Sequence, residues 1–236
     1  MGWNLHEYPD TASLADTLAG ELARSCADGL ARDGRAVLAL AGGRTPWPVY
    51  ARLAQATLDW DRVTAMPTDE RCVPHGHDAS NLRGLAEAFG AATGIRLAPL
   101  TVPGGDPDAS EQHAQALLDG LRCRFDAVVL GMGTDGHTAS LFPGARRLAR
   151  GFDPALDACR IDPEPLPPEA PYPRISLSVR RLLRARTLHL LVTGAEKRTV
   201  LEAAMADPDP LRRPVAAILH APGTQVQVHW CPGAAP

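Results

Sequence analysis

The stretch Asp126-Ala127-Val128-Val129-Leu130-Gly131 decides how this chain is expected to fold. Its apolar run is short and ends in a glycine, which is typical of a strand buried on both faces of a parallel sheet. Similar runs lie at residues 36–41, 63–66 and 188–193, and segments of helical period separate them. Because strands that alternate with helices build parallel sheets, the sequence predicts an α/β fold with a mainly parallel β-sheet flanked by helices.

Further helices and strands are predicted from the same two patterns, segments of helical period and short apolar runs. Apolar residues recur every four positions from Leu14 to Leu30, which predicts a first helix over residues 11–32, with Gly34 as its stop. Further helices are predicted over residues 46–56, 80–92, 109–122 and 195–206. Further strands are predicted over residues 97–102, 174–178 and 225–230.

Residues 1–236 are expected to form a single domain, because no linker and no internal repeat divides them. The regular pattern fails between residues 144 and 173, where a cluster of prolines excludes a regular helix. These prolines are Pro163, Pro165, Pro167, Pro168, Pro171 and Pro173. The segment is therefore predicted to be an irregular surface loop, and both a lid over a site and a passive excursion fit it.

The composition narrows the class of protein. A net charge of -3 and a pI near 6.2 indicate no basic surface for nucleic acid. The apolar runs are too short to span a bilayer, and the segment Met1–Glu7 lacks the features of a signal peptide. The five cysteines are scattered and show no CxxC spacing, so we expect reduced thiols in a cytoplasmic protein.

Ligands of open parallel sheets bind beyond the carboxyl ends of the strands, so the residues that follow each predicted strand are informative. The first such segment is Gly42-Gly43-Arg44-Thr45-Pro46. Gly42 and Gly43 permit close backbone approach, Thr45 is a good N-cap and Pro46 suits the first helical position. This pattern predicts a phosphate cradle, although a tight turn before a well-capped helix explains it equally well.

The second segment is Thr68-Asp69-Glu70-Arg71. Arg71 could hold a phosphate or carboxylate with two hydrogen bonds, or belong to a surface cluster of ion pairs. His75, His77 and Asp78 follow at a spacing that could suit a divalent metal. No third histidine or cysteine comes at a ligand spacing, so no metal is predicted there.

The third segment runs from Gly131 through Gly133, Asp135, Gly136 and His137 to Pro143-Gly144. It has the GxGxxG pattern of dinucleotide-binding proteins, but that motif must open a long helix. Pro143-Gly144 would end a helix within two turns, so the segment is predicted to be a loop that presents Asp135 and His137. A lone histidine is more often structural, but one in a glycine-rich loop beside a carboxylate favours catalysis.

The fourth segment is Gly194-Ala195-Glu196-Lys197, where a helix follows an apolar strand. Lys197 falls in the first helical turn, where the helix dipole disfavours a cation. A bound anion would remove that conflict, whereas an exposed lysine would tolerate a cost of a few tenths of a kcal/mol. The four segments together predict a phosphate cradle, two cations and a histidine–aspartate pair at one edge of one sheet.

At this point the sequence resembles the 6-phosphogluconolactonase family. The matching stretches span nearly the whole chain in the family's order: residues 39–46, 68–74 with Ser80-Asn81, 130–144, 173–178 and 194–197. The stretch 130–144 is the most specific. The chain departs from the family at its last tryptophan, where Trp230-Cys231-Pro232-Gly233 replaces a segment that usually contains an aspartate.

The resemblance implies a fold shared with glucosamine-6-phosphate deaminases and a cytoplasmic enzyme of the oxidative pentose phosphate pathway. It implies hydrolysis of 6-phospho-D-glucono-1,5-lactone without metal or cofactor, with His137 as the general base and acid. Asp135 would orient the imidazole or contact the sugar hydroxyls. The implied phosphate-binding residues are Gly42, Gly43, Thr45, Arg71 and Lys197, and Arg174 matches a family position whose role stays open.

Two alternatives remain. A deaminase of the same fold would carry an Asn-Glu-Pro segment after the Asp-Gly-His loop, but Phe142 stands where its glutamate is expected. Asp69, which matches the deaminases' proton-transferring aspartate, keeps this alternative open. A sugar-phosphate sensor would keep the phosphate cradle without the Asp135–His137 pair, and would ordinarily carry a DNA-binding segment.

Overall fold

A computed structural model of the chain describes residues 2–167 and 170–233. The strands within these ranges are β1 (Trp3–Glu7), β2 (Ala36–Leu40), β3 (Val63–Pro67), β4 (Asp69–Arg71), β5 (Arg96–Leu97), β6 (Phe125–Gly131), β7 (Ala158–Ile161), β8 (Arg174–Leu177), β9 (Ala185–Thr193) and β10 (Val226–Cys231). The α-helices are α1 (Thr11–Asp33), α2 (Trp47–Leu53), α3 (Asn81–Ala88), α4 (Pro107–Gly120), α5 (Leu148–Gly151), α6 (Val179–Leu183), α7 (Ala195–Ala206) and α8 (Ala216–Leu219).

The main sheet has seven strands in the order β1-β10-β9-β6-β2-β3-β5, and every pairing in it is parallel. The predicted α/β fold with a mainly parallel sheet is therefore confirmed. Strand β6 lies in the middle, and its side chains alternate between two cores. Ala127 and Val129 pack with α1, α2 and α3 on one face, whereas Val128 and Leu130 pack with α4, α7 and α8 on the other.

A small antiparallel sheet, β4-β8-β7, stands beside the main sheet, and the sequence did not predict it. β4 is only three residues long and polar, and β7 lies inside the segment 144–173 that was predicted to be irregular. That segment also contains α5, so the prediction of an irregular loop across all of it is wrong. The prolines of residues 163–167 and 170–173 lie outside helices and strands, as predicted, and Pro168 lies outside the described residues.

Most predicted elements are present with shifted ends. Helix α7 has the predicted bounds, and α1 ends as predicted at Gly34, which has φ 67° and donates its N–H to Leu30 O. The strand predicted over 97–102 is wrong, because pairing is confined to β5 and Pro99 follows at once. None of the helices formed by the described residues has the length and apolar character needed to cross a bilayer.

Candidate active site

A cleft of about 810 Å³ opens where the carboxyl ends of β2, β6 and β9 meet the small sheet. Its lining includes seven of the eight residues predicted from the sequence: Gly42, Gly43, Thr45, Arg71, His137, Arg174 and Lys197. Asp135, the eighth, does not line the cleft but stands behind His137. The fold therefore brings together residues that follow different predicted strands.

The loop after β6 has a shape that only glycine permits at residue 133. A Cβ atom at Gly133 would lie 2.2 Å from His137 Nδ1 and 2.6 Å from Asp135 Oδ1. The loop is closed by hydrogen bonds from Gly133 N to His137 O (3.0 Å) and from Gly136 N to Gly133 O (3.1 Å). Gly133 is thus needed so that the imidazole and the carboxylate can fold back over the loop backbone.

Asp135 holds the imidazole of His137 by one edge. Its Oδ1 accepts hydrogen bonds from His137 Nδ1 (2.6 Å) and from the His137 backbone N–H (3.0 Å). Burial would raise the pKa of Asp135, but the hydrogen bonds and charge of His137 outweigh it and lower that pKa. With the proton on Nδ1, the lone pair of a neutral imidazole lies on Nε2.

One face of the His137 ring packs against Phe142, with ring centroids 4.2 Å apart. Phe142 also lines the cleft. The position where a deaminase-like segment would place a glutamate thus holds an apolar ring in contact with the imidazole. This ring can fix the plane of His137, but it cannot transfer a proton.

The acidic residues of β4 are held by internal hydrogen bonds. Asp69 Oδ2 accepts a hydrogen bond from Ser140 Oγ at 2.5 Å, and both side chains are buried. Glu70 accepts the backbone N–H groups of Asn81 (2.8 Å) and Leu82 (2.7 Å), so it caps the start of α3. Burial raises the pKa of Glu70, and the hydrogen bonds from Asn81 and Leu82 act in the opposite direction.

Arg71 and Arg174 are directly paired across β4 and β8. Arg174 as a whole is 3% exposed, and its guanidinium donates to the backbone oxygens of Tyr172 and Ala170 at 2.8 and 2.7 Å. Burial and the nearby charge of Arg71 lower the pKa of Arg174 to about 10. Across the described ranges neither arginine forms an ion pair with a carboxylate, so two like charges face the cleft together.

Lys197 lines the cleft from the first turn of α7. Among the 24 lysine and arginine residues of the chain it is the only lysine. Burial lowers its pKa, and the charges of Asp135 and Glu196 partly offset that effect. A half-buried ammonium at a helix N-terminus is electrostatically disfavoured until an anion binds beside it.

The loop of residues 42–45 approaches α3 closely. A Cβ atom at Gly42 would lie 2.0 Å from Asn81 Oδ1, and Asn81 in turn donates to Asp69 O at 2.7 Å. Asn81 lies in a stretch that matches the family, but the sequence assigned it no role, because its part depends on a contact between distant segments. Gly43 has φ 105°, which turns the chain towards the cleft.

The predicted capping by Thr45 is wrong. Pro46 occupies the N-cap position of α2, and no side chain of the described residues caps that helix. The backbone N–H groups of Val49 and Tyr50 both donate to Pro46 O, so the helix begins one residue later than predicted. Thr45 nevertheless lines the cleft, as part of a turn rather than as a cap.

Residues 9–230 match the model of a family described as glucosamine-6-phosphate isomerases/6-phosphogluconolactonase. The chain belongs to this family of sugar-phosphate enzymes. It is 39% identical to a 6-phosphogluconolactonase of Pseudomonas putida, over 97% of this chain and 93% of the relative. It is 40% identical to a 6-phosphogluconolactonase of Caulobacter vibrioides, over 96% of each chain.

Solved structures agree with this assignment. A crystal structure of a 6-phosphogluconolactonase from Shewanella baltica has a TM-score of 0.90 and 30% identity, covering 96% of this chain and 97% of its own. A monomeric glucosamine-6-phosphate deaminase has a TM-score of 0.79 at 18% identity, covering 96% of this chain and 97% of its own. The fold shared with deaminases, which the sequence resemblance implied, is confirmed.

Proposed function

We propose that this enzyme hydrolyses 6-phospho-D-glucono-1,5-lactone to 6-phosphogluconate, a step of the oxidative pentose phosphate pathway. The observation that carries the proposal is the meeting of His137 with Arg71, Arg174 and Lys197 in one cleft. Such a substrate requires a proton-transferring group at its ester carbonyl and cations around its phosphate. The relatives named above carry the name of this activity.

His137 acts first as a base and then as an acid. Its Nε2 takes a proton from water, and the water oxygen attacks the lactone carbonyl carbon, whose π electrons move onto the carbonyl oxygen. When that oxyanion collapses, the bond to the ring oxygen breaks and the imidazolium returns its proton to the ring oxygen. Backbone N–H groups of residues 42–43 or 131–132 would stabilise the oxyanion, since the N–H of Gly133 already donates to His137 O.

Asp135 serves this chemistry by orienting His137. Its carboxylate accepts the Nδ1 proton at 2.6 Å and lies outside the lining of the cleft, which favours orientation over contact with sugar hydroxyls. The negative charge also stabilises the imidazolium that forms during the reaction. No covalent nucleophile is required, because a lactone is already a reactive ester, and Ser140 is buried and hydrogen-bonded to Asp69.

The phosphate is held between the glycine-rich loop and the cations. Gly42, Gly43 and Thr45 line the cleft on one side, with Arg71 and Lys197 as the charged contacts. Arg174 sits deeper and its guanidinium is fixed to backbone oxygens, so it adds positive potential behind Arg71. An anion between these groups would relieve the repulsion between the two arginines.

We further propose that residues 1–236 form one domain that works in the cytoplasm. Strand β1, near the start of the chain, pairs with β10, near its end, so both ends contribute to the same sheet. All five cysteines are free, as thiols are in a reducing compartment.

The test is the opening of freshly generated 6-phosphogluconolactone, measured against its spontaneous opening, with glucosamine-6-phosphate assayed in parallel. We expect acceleration of lactone opening and no ammonia release. Ammonia release from the amino sugar would instead favour the deaminase, in which Asp69 would transfer protons. Sugar-phosphate binding without turnover would favour a sensor.

A further inference from the structure

A second cluster of histidine and carboxylate side chains lies below the floor of the cleft, between α1 and the main sheet. His189 of β9 and His229 of β10 are buried, and Glu21 reaches them from α1. His189 pairs with Gln227, so His229 lies two residues further along on the same sheet face. Leu191, two residues beyond His189, lines the cleft.

Three ligand-type atoms of this cluster form a compact triangle. His189 Nδ1 and His229 Nε2 are 3.1 Å apart, and Glu21 Oε2 lies 3.5 Å from the first nitrogen and 3.6 Å from the second. Four ligands placed tetrahedrally at the usual zinc distances of about 2.0–2.1 Å are separated by about 3.3–3.4 Å. The triangle has the dimensions of one face of such a tetrahedron.

Hydrogen bonding alone explains one edge of this triangle but not the other two. The 3.1 Å contact between the imidazoles is a normal hydrogen-bond length. The carboxylate oxygen, however, is almost equidistant from both nitrogens and too far from either for a strong hydrogen bond. The three distances would fit a divalent cation bound between the three atoms.

We propose that Glu21, His189 and His229 bind a zinc-class divalent metal ion that ties α1 to β9 and β10. Two imidazoles and one carboxylate form a known zinc ligand set, with a fourth position left for water. The side chain of Glu21 is 26% exposed, so solvent and a metal ion can reach the triangle from that side.

The surroundings of His229 suit a metal ligand. Its other nitrogen, Nδ1, is 2.9 Å from Tyr8 Oη, and such outer contacts fix the ring of a metal-bound histidine. The ring also lies nearly parallel to the rings of His6 and Tyr8, with centroids 5.2 and 5.8 Å away. His189 Nε2 is buried without a partner among the described residues, so the outer support rests on Tyr8.

The experiment is equilibrium dialysis of the full chain against Zn²⁺, together with the visible absorption spectrum of the Co²⁺-loaded protein. We expect one equivalent of Zn²⁺ and the intense visible bands of four-coordinate cobalt without a thiolate charge-transfer band. Glu21→Gln should weaken binding at least about tenfold, and Tyr8→Phe about tenfold to a hundredfold, as loss of an outer contact does.

Two matched controls should keep wild-type affinity. Asp28→Asn removes an exposed carboxylate from the same helix, and His77→Gln removes an exposed imidazole near His75. Failure to bind Zn²⁺, a thiolate band, or binding that is lost in His77→Gln but kept in Glu21→Gln would overturn the proposal. Circular dichroism of each variant shows that it is folded, and Tyr8→Phe, which removes only a hydroxyl, supplies the test if Glu21→Gln does not fold.

Discussion

Two clusters in this protein each combine a carboxylate with imidazole side chains, one in an exposed loop and the other in the interior. Asp135 and His137 stand in a loop at the edge of the sheet, with side chains 47% and 30% exposed. Glu21, His189 and His229 lie between a helix and the sheet, where both imidazoles are almost fully buried. Both clusters place a carboxylate close to an imidazole nitrogen.

The surroundings decide what each cluster can do. At the strand end, a carboxylate fixes one edge of the imidazole of a residue that lines the cleft, and the other edge is left for proton transfer. Under the helix, burial lowers the pKa of His189 to about 4 and that of His229 to about 3, with neighbouring histidines adding to the effect. These rings stay neutral at pH 7 and have no access to a substrate.

The largest expected effect is the loss of kcat when a residue of the exposed cluster is replaced. His137→Ala should lower kcat for the lactone by about 10²–10⁴-fold, the usual contribution of general acid–base catalysis. Substrate binding should persist, because the proposed phosphate contacts are made by other residues. Steady-state kinetics measure both, with His113→Gln, outside the cleft, as the control that keeps wild-type activity. A normal kcat in His137→Ala would remove His137 from the mechanism.

The variant Asp135→Asn tests whether the charge of Asp135, rather than its size, is needed to orient His137. The amide is the same size, but it loses a charged hydrogen bond worth about 1.5–3 kcal/mol, so kcat should fall about tenfold to a hundredfold. The melting temperature should stay close to that of the wild type, since Asp135 is half exposed. An unchanged kcat would show that His137 needs no orienting carboxylate.

Loss of a cation from the cleft should change KM, whereas the substitutions at His137 and Asp135 should change kcat. Arg71→Ala and Lys197→Ala should each raise KM by about tenfold, as expected when one charged hydrogen bond to phosphate is lost. Lys197→Arg should recover part of the loss, because the charge is kept. Wild-type KM in both alanine variants would contradict the phosphate assignment.

The buried cluster should lower the free energy of unfolding at acid pH. The measurement uses metal-free protein with a chelator present. The folded-state pKa values of His189 and His229 lie below the usual unfolded value of about 6.5, so the unfolded chain takes up protons first. Above about pH 6.5 both rings are neutral in the folded and in the unfolded chain, so they do not change the free energy of unfolding. Below that pH, each lowers the free energy of unfolding by up to about 1.4 kcal/mol per pH unit, until its folded pKa is reached.

Urea denaturation between pH 7 and pH 5 measures this loss. Glu70 acts in the opposite direction because burial raises its pKa, so the informative quantity is the difference between wild type and His189→Gln. The variant should lose less stability on acidification than the wild type. His137→Ala should keep the wild-type pH dependence, and equal slopes in wild type and His189→Gln would contradict the buried, neutral state of that ring.

The two clusters also show what sequence reasoning can reach. His137 was found because its loop is one contiguous segment, 131–144, whose glycines and carboxylate are visible together. Arg71 and Lys197 were found because each follows a recognisable strand, and parallel strand ends meet at one edge. The main sheet was predictable for the same local reason, since apolar runs mark its inner strands.

The features that could not be predicted from the sequence depend on contacts between distant segments. Glu21, His189 and His229 come from three elements, and the strand register together with the packing of α1 on the sheet brings them together. Strands β4 and β7 are short and contain charged residues, so no apolar run marks them. Asn81 matters through its contact with Gly42, which no local pattern could indicate.

In the proposed mechanism, catalysis depends on the exposed cluster and not on the buried one, and removal of metal ions separates the two. The rate of 6-phosphogluconolactone opening is measured for wild type and His137→Ala, each after Zn²⁺ loading and after exhaustive chelation. We predict that chelation leaves the wild-type rate unchanged, whereas His137→Ala is slow in both states. If chelation lowers the wild-type rate as far as His137→Ala does, the buried cluster takes part in the chemistry and the account is wrong.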